Sequence, residues 1–200
     1  DKTGTLTEER LHFKGVTVPQ HLLELKLPED YYQTNLATGF SQSSVELHSD
    51  SKSIPSPCFE LMATCHALAL INDTPVGDPL EVEMFRASGY RINSSVSGDG
   101  VIMTISSPGP FITATKYDVL RHFEFTSDRA RAGSLIRRPN NQLVYYSKGS
   151  PEAILKFVDK STVPTDIQTT LTLLSKRGFR VLAMAYKIIS NPQDNSNSNN

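Results

Sequence analysis

Twice in this chain a capping side chain, a proline and an acid fall together: Asp78-Pro79-Leu80-Glu81 and Ser150-Pro151-Glu152-Ala153. An Asp or Ser oxygen can accept the free amides of a helix start. Proline is tolerated in the first turn, and an acid there complements the helix dipole. Each stretch therefore fixes a helix N-terminus, and neither can lie inside a central strand. The second follows Leu143–Lys148, which reads as a strand. A chain with two such junctions must interleave strands with helices.

The remaining pattern agrees with that constraint. Strand-like runs cover Arg10–Val16, Tyr117–Phe125, Ser134–Arg137, Leu143–Lys148 and Phe179–Tyr186. Glu60–Leu70 carries helix formers after Pro57, with Leu61, Cys65, Leu68 and Ala69 able to share a face. The Asp78 helix has Val82, Phe85 and Leu80 as its apolar stripe, and the Ser150 helix is short, through Phe157. A longer helix is expected from Thr165 to Lys176, stopping before Gly178. Ser94–Pro110 reads as turns around one short apolar run, VIMTI. Ser41–Pro57 is Ser-rich with two prolines and reads as a mobile loop. The Asn/Ser tail from 190 to 200 cannot bury enough apolar surface to offset its ordering entropy and is expected to be disordered. The expected fold class is α+β, a mostly antiparallel twisted β-sheet flanked by helices.

Composition removes several function classes. The 200 residues hold 20 Lys+Arg and 21 Asp+Glu, a net charge of −1, so the basic surplus of a nucleic-acid binder is missing. Two cysteines, Cys58 and Cys65, make no disulfide framework. With His12 and His66 they match no zinc spacing, and His66 reads as a satisfied packing histidine. No run approaches ~18 consecutive apolar residues, so no spanning helix is expected. The start at Asp1-Lys2, with neither an initiator Met nor a leader, reads as a cut inside a longer protein.

The opening DKTGTLTE (1–8) is the stretch best suited to chemistry. A carboxylate at Asp1, followed by small hydroxyl residues, suits a nucleophile at a strand–loop boundary. The hydroxyls of Thr3 and Thr5 and nearby amides could hold a phosphoryl group, and Gly4 lets the backbone approach it. A metal ion would neutralise the incoming phosphate. Elsewhere, Lys148 ends a strand beside free helix amides, which suits an anionic ligand. Phe123 and Phe125 share strand parity, so pattern alone does not tell a core ring from a binding ring. Arg180 opens an apolar strand with a fork of donors that could bridge phosphates.

DKTGTLT resembles the phosphorylation signature of P-type ATPases. The likeness continues in order through MATCHAL (62–68), GDPLE (77–81) with Met84-Phe85, FEFTSDRARAGS (123–134), KGSPE (148–152) and GFRVLA (178–183). LTEE and the MF pair look like the B branch of the fifth class. The resemblance implies three segments: 1–9 as the edge of the phosphorylation domain and hinge, 10–189 as the nucleotide-binding domain, and 190–200 as a tail. It implies ATP and Mg as cofactors. Asp1 would be the catalytic acceptor, with Asp1 and Thr3 holding the metal in the intact pump. Phe125 would stack on adenine, Glu81 would meet its amino group, Lys148 would line its pocket, and Gly149 would allow its close approach. Arg131 and Arg180 would contact phosphates. Ala130 and the Ala132-Gly133 pair depart from the family pattern.

The expected partners are ATP and the phosphorylation, actuator and membrane domains of the same pump, with no nucleic acid and a monomeric fragment. The implied cargo is a polyamine or cation, and the implied location is the cytosolic face of an endolysosomal or vacuolar membrane. This stretch alone would bind nucleotide without turning it over. A soluble phosphatase of the haloacid-dehalogenase type is the nearest alternative, but Thr3 stands where such enzymes carry a second Asp as general acid/base. A protein-interaction module is the third reading. It leaves Asp1, GDPLE and KGSPE with no shared explanation.

Overall fold

The computed structural model describes residues 13–17, 56–93, 100–107 and 115–190. Asp1, Thr3, most of the Ser-rich stretch and the tail from 191 lie outside these residues. So do parts of the Arg10–Val16 and Ser94–Pro110 segments.

The described elements follow one another as α1 (Ser56–Thr64), β1 (Ala69–Ile71), β2 (Thr74–Val76), α2 (Pro79–Ser88), β3 (Arg91–Asn93) and β4 (Met103–Ser106). Next come β5 (Lys116–Thr126), β6 (Arg131–Arg137), β7 (Leu143–Gly149), α3 (Pro151–Leu155), a 3-10 turn (Lys160–Thr162), α4 (Ile167–Lys176) and β8 (Ala183–Ser190). Strands β3 to β8 form one six-stranded sheet in chain order, and every pairing in it is antiparallel. This is the expected α+β class.

Both helix starts form as their chemistry dictates. The Asp78 carboxylate accepts from the amides of Leu80 (2.9 Å) and Glu81 (3.4 Å), and α2 ends on Gly89 at φ 71°. Ser150 Oγ accepts from the Ala153 amide at 3.2 Å. The last helix stops where Gly178, at φ 78°, lets the Phe179 amide reach back to Leu174 O, which satisfies a terminal carbonyl.

Several boundaries differ from the sequence expectation, among them the start of β6, at Arg131 rather than Ser134, and the end of β8, at Ser190 rather than Tyr186. Helix α1 spans Ser56–Thr64 rather than Glu60–Leu70. Beyond it the chain turns and forms the β1–β2 hairpin, whose Asn72 and Asp73 both take positive φ (49° and 60°), the backbone a two-residue type I′ turn requires. Strand β8 begins at Ala183 rather than Phe179. Ala183 pairs with Gly149, the last residue of β7. Past Gly149 the partner chain turns into α3, so residues 179–182 have no ladder to join. Near the N-terminal end, Val16 forms only an isolated bridge and residues 13–15 no strand.

One face of the sheet carries the core. Ile105, Tyr117, Val119, Ile136, Val144 and Tyr146 pack against Leu61, Ala63 and Cys65 of α1 and its exit. A second cluster joins Val16, Phe59, Met62 and Met84. Between helix and sheet lies a buried polar knot. The Glu60 carboxylate, 1% exposed, accepts from Arg138 Nε at 2.9 Å and from Tyr146 Oη at 2.6 Å. Arg138 also donates to Tyr146 Oη (3.0 Å) and to Gln142 Oε1 (2.6 Å). Burial and the Glu60 charge hold the Tyr146 phenol well above its ordinary pKa.

Removing Glu60 takes from Arg138 Nε and Tyr146 Oη the carboxylate to which both donate in a dry interior. Glu60→Ala is therefore expected to cost about 3–5 kcal/mol, read as a drop in unfolding free energy by urea titration. A loss under about 1 kcal/mol would show that Arg138 finds water instead.

Candidate functional site

Strand β5 places its aromatic residues through two irregularities. Regular pairing would put Val119, Phe123 and Phe125 on one face. Register slips between Val119 and Arg121, and again between Phe123 and Thr126. Each bulge adds a residue to β5 and reverses the alternation. After the first, His122 pairs with Ser134, on the face that carries Tyr146, and Phe123 pairs with Gly133 on the other face. There Phe123 packs edge-on against Tyr145, centroids 5.6 Å apart. After the second, Thr126 sits opposite Arg131 on the outer face, which turns Phe125 to the inner one. Phe125 is 61% exposed.

Lys148 shares that inner face: it pairs with Ala132 on one side and Met184 on the other, one register step from Gly133 and Ser147. Its side chain is buried, and its ammonium meets Glu81 Oε1 at 3.0 Å. Glu81 comes from the first turn of α2. Its other oxygen, Oε2, accepts from the backbone amide of Ala67 at 3.0 Å. The sheet, α2 and the turn after α1 thus converge on one carboxylate.

That turn is held by His66. The Leu68 amide donates to His66 Nδ1 at 3.2 Å, so the ring hydrogen belongs on Nε2, which lies 2.7 Å from Ala63 O. The ring also meets Phe85 edge-on at 5.0 Å. Burial, with the Lys148 charge adding to it, lowers the His66 pKa to about 4. His122 lies 6.3 Å from His66 between centroids. Burial lowers its pKa as well, and its Nε2 is buried without a hydrogen-bond partner. Burial pushes the Cys65 thiol up to about 11, which leaves it inert.

The other expected residues scatter around this centre. A Cβ on Gly149 would come within 2.4 Å of Ala130 O and 2.8 Å of Arg131 Cα. The close approach of strands β6 and β7 is therefore reason enough for glycine there. Arg131 lies on the outer face with Thr126 and Gly149, and its guanidinium stacks 3.6 Å from the centroid of Phe157. Arg180 is exposed, three residues before Ala183 and so at the Gly149 end of the sheet. Asp1 and Thr3 lie outside the described residues, so their expected metal site is not in view. Among the described residues no group of His, Cys, Asp and Glu could hold a metal ion. No described helix is long and apolar enough to cross a membrane. Sequence reasoning missed the Ala67 amide and the unpartnered His122. His66 reads from the sequence as a satisfied packing histidine, which it is; what that reading does not reveal is that the ring bridges the turn after α1.

Comparison with known proteins bears on the whole arrangement. Residues 112–200 match the family described as P-type ATPase, cytoplasmic domain N. The chain is 32% identical over 200 residues to the probable cation-transporting ATPase catp-6 of Caenorhabditis elegans, which covers 92% of this chain and 16% of that protein. It is 32% identical over 201 residues to the polyamine-transporting ATPase 13A2 of Homo sapiens, covering 94% of the chain and 15% of that protein. It belongs to the P-type ATPases. The described fold is that of the family's cytoplasmic domain N, and the chain spans about a sixth of the length of these relatives.

The depressed His66 pKa has a consequence for the stability of the fold. The unfolded chain takes up the imidazole proton near pH 6.5, whereas the folded one resists it down to about 4. The stability carried by neutral His66 is complete above pH ~6.5 and is lost as pH falls toward 4, by at most ~3 kcal/mol. His66→Leu should therefore flatten this part of the acid profile in urea titrations at stepped pH. An unchanged slope would contradict the assignment.

Proposed function

We propose that this chain is the ATP-binding part of a P-type transport ATPase, with the nucleotide seated against the inner-face end of β5 and β7. The carrying observation is one face that holds an exposed ring, Phe125, and a buried Lys148–Glu81 pair. A soluble domain that leaves a large ring wet beside a desolvated ion pair has the elements of a base-binding site: a flat apolar platform and a fixed polar edge. Phe125 stacks on adenine. Glu81 keeps a lone pair for the adenine amino group, and Lys148 orients Glu81 and lines the pocket. Gly149 follows Lys148 at the pocket edge, its missing side chain serving the close approach of β6.

Arg180, exposed at the same end of the sheet, is the better-placed phosphate contact. Arg131 contributes only if it leaves Phe157. Closure of the domain then carries the γ-phosphate to Asp1, whose carboxylate attacks the phosphorus in line as the bond to the β,γ-bridging oxygen breaks and ADP leaves. Magnesium, held at Asp1 and the Thr3 carbonyl in the intact pump, would offset phosphate charge there. The aspartyl phosphate would supply the free energy for transport. Thr3 cannot act as the acid/base of a phosphatase, which favours a pump over a hydrolase. The family resemblance together with the name of the human relative makes a polyamine the favoured cargo and an endolysosomal or vacuolar membrane the favoured location. The rest of the same pump is the expected partner.

A single stack with a few polar contacts gives weak binding, roughly micromolar to millimolar. Phe125→Ala is expected to weaken ATP binding by about 1–3 kcal/mol and to leave the fold intact, because the ring contributes little to the core. NMR titration with ATP checks both. Unchanged affinity, or shift changes that avoid Phe125 and Lys148, would overturn the site and favour an interaction module.

A further inference from the structure

We propose that His66 is a positioning residue for recognition of the purine 6-amino group, acting through the backbone amide of Ala67 on Glu81. This rests on the reading of Glu81 as the adenine acceptor, and goes beyond it.

The geometry forms a short chain of contacts. Helix α1 ends at Thr64. His66 bridges the exit from both sides, with Nε2–H on Ala63 O (2.7 Å) and Nδ1 accepting from Leu68 N (3.2 Å). Ala67 stands between the bridged residues. Its amide can point only where that turn sends it, which is to Glu81 Oε2 at 3.0 Å. Lys148 takes Oε1 at 3.0 Å. Two donors on two oxygens fix the plane of the carboxylate, and an amide hydrogen bond to a carboxylate is charge-assisted and directional. With Lys148 alone, the carboxylate could swing about its single ammonium contact. Phe85, edge-on to the imidazole at 5.0 Å, seats the ring from the same helix that carries Glu81. The ring is 3% exposed and both its nitrogens are engaged within the turn, so His66 acts on a ligand only through Ala67.

A carboxylate fixed in this way discriminates by edge chemistry. It accepts from an exocyclic amino group and gains nothing from a carbonyl oxygen in the same place. Fold support and positioning therefore separate in a comparison of ATP with inosine triphosphate, whose ring carries a carbonyl where adenine carries the amino group. A fold defect weakens both ligands, whereas a loosened Glu81 weakens ATP alone.

The test titrates the 200-residue chain with both nucleotides, following amide spectra. The wild-type chain should prefer ATP. His66→Leu should lose about tenfold in ATP affinity, with inosine triphosphate changed less than twofold, and the Ala67 amide resonance should move upfield. Equal loss of both nucleotides in a folded variant, or an unchanged preference, overturns the proposal. Should His66→Leu not fold, His66→Asn decides: its amide oxygen can still accept from Leu68 N in an Asx-type turn. The preference should then stay within about threefold of wild type, and its loss in a folded His66→Asn chain overturns the proposal. A wild-type chain that binds both nucleotides equally would remove the Glu81 reading and this inference with it. A chain with no ATP response at all would refute the proposed function.

Discussion

The buried contact of Glu60 with Arg138 and Tyr146 sets the position of everything around the candidate site. Helix α1 crosses the inner face of the sheet and could slide there if only apolar contacts held it, because such contacts have little direction. An ion pair with a phenol on one oxygen has direction. It ties the helix to β7 and to the turn that follows β6. Desolvating those charges offsets much of their attraction, so the knot is weak evidence for stability and better evidence for fixed placement. With α1 fixed, its exit turn meets α2 at one point, and the Ala67 amide arrives at Glu81.

The second polar contact, Lys148 with Glu81, is placed by this frame. The two buried polar groups differ in character. The first joins helix α1 to β7 and to the turn after β6 within the core. The second lies at the end of the sheet beside a wet aromatic ring and an imidazole nitrogen with no partner. A protein interior leaves few such atoms unmatched. Among the described residues the other is Ser134 Oγ, on the β6 residue that pairs with His122.

Much of this was legible in the residues, for local reasons. Asp78-Pro79 and Ser150-Pro151 specify helix starts through side-chain oxygens and a missing amide, and these interactions need no tertiary context. Glycine at 178 stopped α4 for the same kind of reason. The antiparallel class followed from short strands joined by short turns. What stayed hidden was set by pairing. Whether residues 179–182 join a strand depends on where β7 ends. The face of Phe125 depends on two extra residues in β5, and period-2 reading placed it with Phe123. His66 looked like a packing histidine, and it is one, yet its consequence lies in an amide one residue along, which no side-chain pattern records.

The two bulges of β5 make that strand keep a tally as well as a composition. From Val119 to Phe125 the chain changes faces twice, and the second change returns the phenyl ring to the side it would otherwise have missed. Substitutions along this stretch alter one contact each. Dropping or adding a single residue would swap inside for outside for everything downstream as far as the hairpin. Length between those two points is therefore under tighter restraint than the identity of most residues that fill it.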